Sequence, residues 1–265
     1  MSRAPRRAVL LVVGLALALV APASVSATHS WGGYHWARTA NPFTVKLGDN
    51  VTSAWDSYLD TTVADWSAPT GLDATKVLDA TKVSGTAGRV KQCRATAGTV
   101  QICNTTYGNN GWLGVASISI TGGTHITQAT VKLNDTYFKT STYNTPAWRN
   151  MVMCQEVGHA FGLDHQDTDF SNPNLGTCMD YTNDPTTNQH PNAHDFEQLA
   201  AIYAHLDGTT TLASAPIVKG TSTGQVTDAA WGRQVAVTNG GRGATYIRDL
   251  GAGNLIVTHV LWAGR

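Results

Sequence analysis

Residues 155–165 read Gln-Glu-Val-Gly-His-Ala-Phe-Gly-Leu-Asp-His. Side chains four apart on a helix share a face, so Gln155 and His159 point the same way with Glu156 beside them. Two donors at that spacing grip one metal ion, and the acid between them reaches a water at the metal. Gly162 follows three residues after His159. Glycine enters the left-handed region without steric cost and ends helices, so the chain turns there and brings His165 back toward the same metal. The implied chemistry is metal-assisted hydrolysis, with Gln155, His159 and His165 as ligands and Glu156 as general base. Glutamate is otherwise nearly absent, since Glu156 and Glu197 are the only two in the chain.

Downstream stands Cys178-Met179-Asp180-Tyr181. Together the two stretches resemble the metzincin zinc proteases, whose motif H-E-x-x-H-x-x-G-x-x-H is followed by a methionine turn. Glu156, His159, Gly162 and His165 match that motif, Gln155 replaces its first histidine, and the run 159–165 is similar to the matrixin form. The resemblance implies an α+β, metzincin-like catalytic domain: a twisted mixed sheet, a central zinc helix, a Met-turn and a C-terminal helix. It implies a Zn2+ cofactor and a secreted endopeptidase. Met179 would lie beneath the metal. Tyr181, which matches a tyrosine of astacins and serralysins, would hydrogen-bond the carbonyl oxygen as it gains charge. Polypeptide substrates would bind in extended form along an edge strand. The strand around Ala129–Leu133 resembles that edge, and 182–194 would shape the main specificity pocket.

The departures matter as much as the matches. A glutamine ligates zinc through its amide oxygen, a poorer donor than imidazole. Asp164, His190 and His194 are the other candidates for the third ligand. Matrixins carry a cysteine-containing inhibitory segment ahead of the catalytic domain. Here few residues separate Ala27 from the first expected strand, so latency of that type is not expected. The alternative reading is a metzincin impaired by Gln155 that serves as a peptide- or protein-binding module. A carbohydrate-binding tail is the weakest reading, because Trp231 and Trp262 form no aromatic row.

The elements that must hold these residues are legible in part. A strand is expected over 31–46 and a helix over 50–66, with Trp55, Leu59, Val63 and Trp66 on its buried face. Strands are expected at 99–106, 112–121 and 125–133, punctuated by Asn109-Asn110-Gly111 and Gly122-Gly123. Thr145 as N-cap and Pro146 at the first helical position open a helix over 145–163. Asn192 and Asp195 open another over 193–207, which Gly208 closes. The tail repeats strand signals at 234–238, 244–248 and 255–262. These form a small β-meander, either packed on the main domain or appended to it. His125, His190, His194 and His205 read as surface or capping histidines. Trp31, Tyr34 and Trp36 read as core.

The division expected is a signal peptide at 1–27, the catalytic domain at 28–208 and a C-terminal β-rich extension at 209–265. Arg3, Arg6 and Arg7 precede the apolar run 8–20, and Val25-Ser26-Ala27 offers a cleavage site. That run is too short to span a bilayer. Without residues 1–27, 15 basic and 18 acidic side chains remain, a net charge of −3. No basic stripe points to nucleic acid, and no membrane attachment is expected after signal removal. A monomer is expected. The four cysteines, Cys93, Cys103, Cys154 and Cys178, form an even set in an exported chain and read as two disulfides, with three pairings open. Within the metzincin resemblance, Cys154–Cys178 would pin the zinc helix to the methionine turn, leaving Cys93 with Cys103.

Overall fold

Residues 29–68, 76–213 and 228–264 are described by a computed structural model; the expected signal segment lies outside them. The order of elements is β1 (His35–Trp36), β2 (Phe43–Asn50), α1 (Asp56–Ser67), β3 (Leu78–Ser84), β4 (Thr99–Thr105), β5 (Trp112–Thr121), β6 (His125–Asn134), α2 (Asp135–Phe138), α3 (Pro146–Ala160), α4 (Ala193–Ile202), α5 (Asp228–Trp231), β7 (Arg233–Val237), β8 (Gly243–Gly251) and β9 (Asn254–Trp262). The class is α+β. All strands join one mixed sheet of nine, in the order β3-β2-β4-β6-β5-β9-β8-β7, with β1 beside β6. β2, β3, β4 and β6 are parallel. From β5 onward every pairing is antiparallel.

One expectation changes here, and one open alternative is decided. The strand at Ala129–Leu133 is not an edge: it lies in β6, between β4 and β5. Ala129, Val131 and Leu133 are buried in the main core, and nearly every residue of β6 is buried, as suits a central strand. The tail meander is packed on the main domain, because β9 pairs with β5 from Trp112↔Trp262 to Ile120↔Leu255. Among the described residues, no helix is long and apolar enough to cross a membrane.

α1 and α3 lie against one face of the sheet. Trp55, Leu59 and Trp66 of the α1 region and Val152 and Val157 of α3 share a core with Val45, Ile102 and Val131. α1 starts later than expected because β2 runs on to Asn50. Thr145 caps α3 by accepting from Trp148 N, as its position predicts. Asn192 and Asp195 form a reciprocal capping box on α4. α4 ends at Ile202, short of the expected 207, because buried Arg38 takes the carbonyls of Tyr203 and His205.

The opposite face carries a smaller cluster, Trp112, Val115, Trp231, Ala244, Tyr246 and Val260. Lys132 shares that face, since it pairs with Val115 across the β5–β6 ladder. Burial pushes its ammonium down from 10.5 to about 8. Below pH 8 the group is charged folded and unfolded, so the desolvation cost is fully present. Between pH 8 and 10.5 only the unfolded chain keeps the proton, so stability from this group rises with pH. Lys132→Met is therefore expected to stabilise the fold by about 1–2 kcal/mol at pH 7, partial solvent contact limiting the gain. The gain should shrink above pH 8, which denaturant melts at two pH values would read.

Candidate metal centre

α3 is buried along its last three turns, so its polar side chains face the protein interior. Gln155, Glu156 and His159 are each fully buried. The helix stops at Ala160, and Gly162 takes φ 97°, a conformation that favours glycine. Any side chain there would strike the carbonyl of Tyr34. This turn returns His165 to α3, with its Nε2 3.2 Å from Nε2 of His159. His159 Nδ1 donates to Leu163 O at 2.8 Å, which leaves Nε2 as the free donor atom for a metal. His165 Nδ1 lies 3.1 Å from Asp164 Oδ1, so it is oriented in the same way.

Met179 packs against α3 at Gly158. A Cβ on Gly158 of α3 would come within 2.5 Å of its sulfur, so glycine allows the close approach. α4 steadies the turn through Asp195, which accepts from Thr177 Oγ1, and Thr177 Oγ1 accepts from Met179 N at 3.0 Å. The disulfide Cys154–Cys178 joins α3 to the same turn, and the second bridge is Cys93–Cys103. The first closes a sequence separation of 24, for which loop entropy gives about 3–4 kcal/mol. Replacing both its cysteines by serine is expected to lower unfolding stability by that amount in denaturant melts. A change below about 1 kcal/mol would show that the bridge does not brace the centre.

Gln155 Nε2 donates to Cys178 O at 2.8 Å. That bond fixes the amide, and Oε1 is buried without a hydrogen-bond partner among the described residues. An orphaned neutral acceptor one turn before His159 suits a metal ligand. The other candidates are engaged elsewhere. His190 pairs with Asp65 at 2.7 Å, His194 stacks on His29, and Asp164 orients His165.

A residue that sequence reasoning passed over completes the group. His259, on β9, is buried, and one nitrogen each of His159, His165 and His259 lie within 4.8 Å of one another. Its ring centroid is 4.2 Å from that of His159 and 4.7 Å from that of His165. Its Nε2 shares a 2.7 Å hydrogen bond with the Tyr181 hydroxyl, and its Nδ1 lies 3.5 Å from Glu156 Oε2. So Glu156 and Tyr181 both face one imidazole from the tail. β8 closes over them as well, since a side chain on Gly243 would meet the Tyr181 hydroxyl. The signal was present in the sequence: alternation along β9 sets Val257, His259 and Leu261 on one face, a lone histidine among core residues.

Burial and the neighbouring rings set the protonation. His159 is pushed down to about 3 by desolvation and then by His165. His259 is held well below its usual value by desolvation, His159 and His165. Neutral imidazoles are the metal-binding form. Burial raises the Glu156 carboxyl well above the carboxylate range. A cavity of about 450 Å³ lies between the start of α3, at Thr145 and Trp148, and the segment 183–189, part of the expected pocket loop.

No family model matches this chain, and no curated protein matches it significantly.

Proposed function

We propose that the chain is a metzincin-like zinc endopeptidase held in a closed form by its own C-terminal strand. The observation that carries the reading is the placement of β9. It lies antiparallel along β5, as an extended peptide would, and inserts His259 between His159, His165, Glu156 and Tyr181. The turn at Gly162, Met179 beneath α3 and α4 behind the turn support the metzincin fold. The two disulfides accord with the expected secretion.

Gln155, His159 and His165 would hold the ion, with His259 in the fourth place. Zinc bound there would supply Lewis-acid polarisation of a carbonyl and acidification of a water. Catalytic zinc sites keep one position open, whereas fully ligated ones are structural. Four protein donors therefore define a resting state. In the open state the β5 edge is free to pair with a substrate strand, main chain to main chain. With the cation's charge opposing the burial that raises its pKa, Glu156 would take a proton from the attacking water on its carboxylate and pass it to the leaving amine. Tyr181, freed from His259, donates a hydrogen bond from its hydroxyl to the carbonyl oxygen as charge builds there and keeps its proton.

The experiment is casein cleavage by the zinc-loaded full chain beside its Glu156→Gln and His259→Ala variants. Bound zinc without any Glu156-dependent cleavage, in either the native or the His259→Ala background, would leave a metal-containing binding protein instead.

A further inference from the structure

His35, His125 and His205 are far apart in sequence and come from β1, β6 and the chain beyond α4. All three rings converge on Asp207. The Asp207 Oδ1 oxygen lies 3.5, 3.3 and 3.6 Å from the Nε2 atoms of His35, His125 and His205. His35 Nε2 and His205 Nε2 are 3.2 Å apart. Donors around a tetrahedral zinc at about 2.0–2.1 Å are separated by about 3.4 Å, which those four separations bracket. The donors of His35, His125 and Asp207 all lie within 4.8 Å of one another, and His205 stands outside that mutual group, joining it through His35 and Asp207.

The residues behind the donors are arranged as ligand supports. His35 Nδ1 donates to Gly33 O at 2.9 Å, which fixes the tautomer and leaves Nε2 with its lone pair inward. Asp207 uses its other oxygen, Oδ2, to accept from Arg38 N at 3.1 Å and from Arg38 Nη1 at 2.8 Å. Arg38 is itself buried, so Oδ1 is aimed at the three rings by a fixed guanidinium. His35 and Asp207 are nearly covered, whereas His125 is 33 % and His205 53 % exposed. An ion thus has an inner wall and a solvent-facing entry.

We propose that His35, His125, His205 and Asp207 form a second metal site, for zinc or a similar borderline divalent ion, separate from the Glu156 centre. Three imidazoles and one carboxylate favour such an ion over calcium or magnesium, which take oxygen ligands. The ion would tie the N-terminal strand, the start of β6 and the end of the α4 region together. His125 and His205 are partly exposed, as expected of surface histidines, and the proposal gives them a shared partner in Asp207.

The test counts zinc per chain in the full-length protein after loading and dialysis against zinc-free buffer. His125→Ala/His205→Ala removes two partly exposed side chains and should keep the fold. It is expected to hold one zinc fewer than the unaltered chain, whatever the state of the central site. The converse variant, His159→Ala/His165→Ala, is expected to keep one zinc, and added zinc should raise its melting temperature by about 5 °C. An unchanged zinc count in the surface variant would overturn the proposal and leave a hydrogen-bonded cluster only. A folded central-site variant that holds no zinc would overturn it as well.

Discussion

A Glu156→Gln chain is expected to keep its zinc and its fold and to lose casein cleavage by about 10²–10⁴-fold. The loss is large because the acid nearest the histidine pair is already engaged. Glu156 and Glu197 are the only glutamates, and Asp164, the acid next to the histidine pair, is committed through Oδ1 to the backbone and ring of His165. The substitution is nearly isosteric. Gly114 leaves room for Glu156 Oε1, whose distance to a Cβ at that glycine would be 2.5 Å, so the amide enters the same space. What disappears is the proton acceptor. The comparison should be made in the native chain and again with His259→Ala, because the proposed closure would limit the native rate. Equal cleavage with and without the Glu156 carboxylate would assign the activity to another protein in the preparation.

The sequence carried the local chemistry well and the long-range pairing poorly. Thr145, Pro146, Asn192 and Asp195 marked helix starts because capping is a local hydrogen-bond problem, solved within four residues. The bend at Gly162 was legible for the same reason: only the glycine fits so close to Tyr34 at a positive φ. The ends of helices were less legible, since α4 stops where Arg38, far away in sequence, takes the carbonyls of Tyr203 and His205. Strand order was illegible. The runs at 112–121, 125–133 and 255–262 look alike in composition, and nothing local says that β9 seeks β5. That pairing alone brings His259 to His159, and the approach of β1 to β6 alone brings His35 to His125. Both histidine groups are products of topology, while the helical motif was a product of spacing.

His259→Ala is expected to raise casein cleavage at least about tenfold while the central zinc stays bound. The side chain is buried and shares a 2.7 Å bond with Tyr181, so its loss removes stabilisation found only in the closed arrangement. Each 1.4 kcal/mol lost from the closed state multiplies the open population about tenfold. The space left behind is bordered by the Tyr181 hydroxyl and the Glu156 carboxylate, polar enough to hold a water. Gln155, His159 and His165 remain, and the amide of Gln155 stays anchored on Cys178 O. β9 keeps its other pairs with β5, which limits the increase.

This substitution also separates the two roles that the geometry permits for His259, a removable plug or a permanent ligand compensating for Gln155. The deciding measurement is zinc content and casein cleavage of His259→Ala beside the unaltered chain, under the same zinc-buffered conditions. A closed protease predicts unchanged zinc and faster cleavage. One zinc lost per chain, together with loss of cleavage, would contradict closure and make His259 a constitutive ligand.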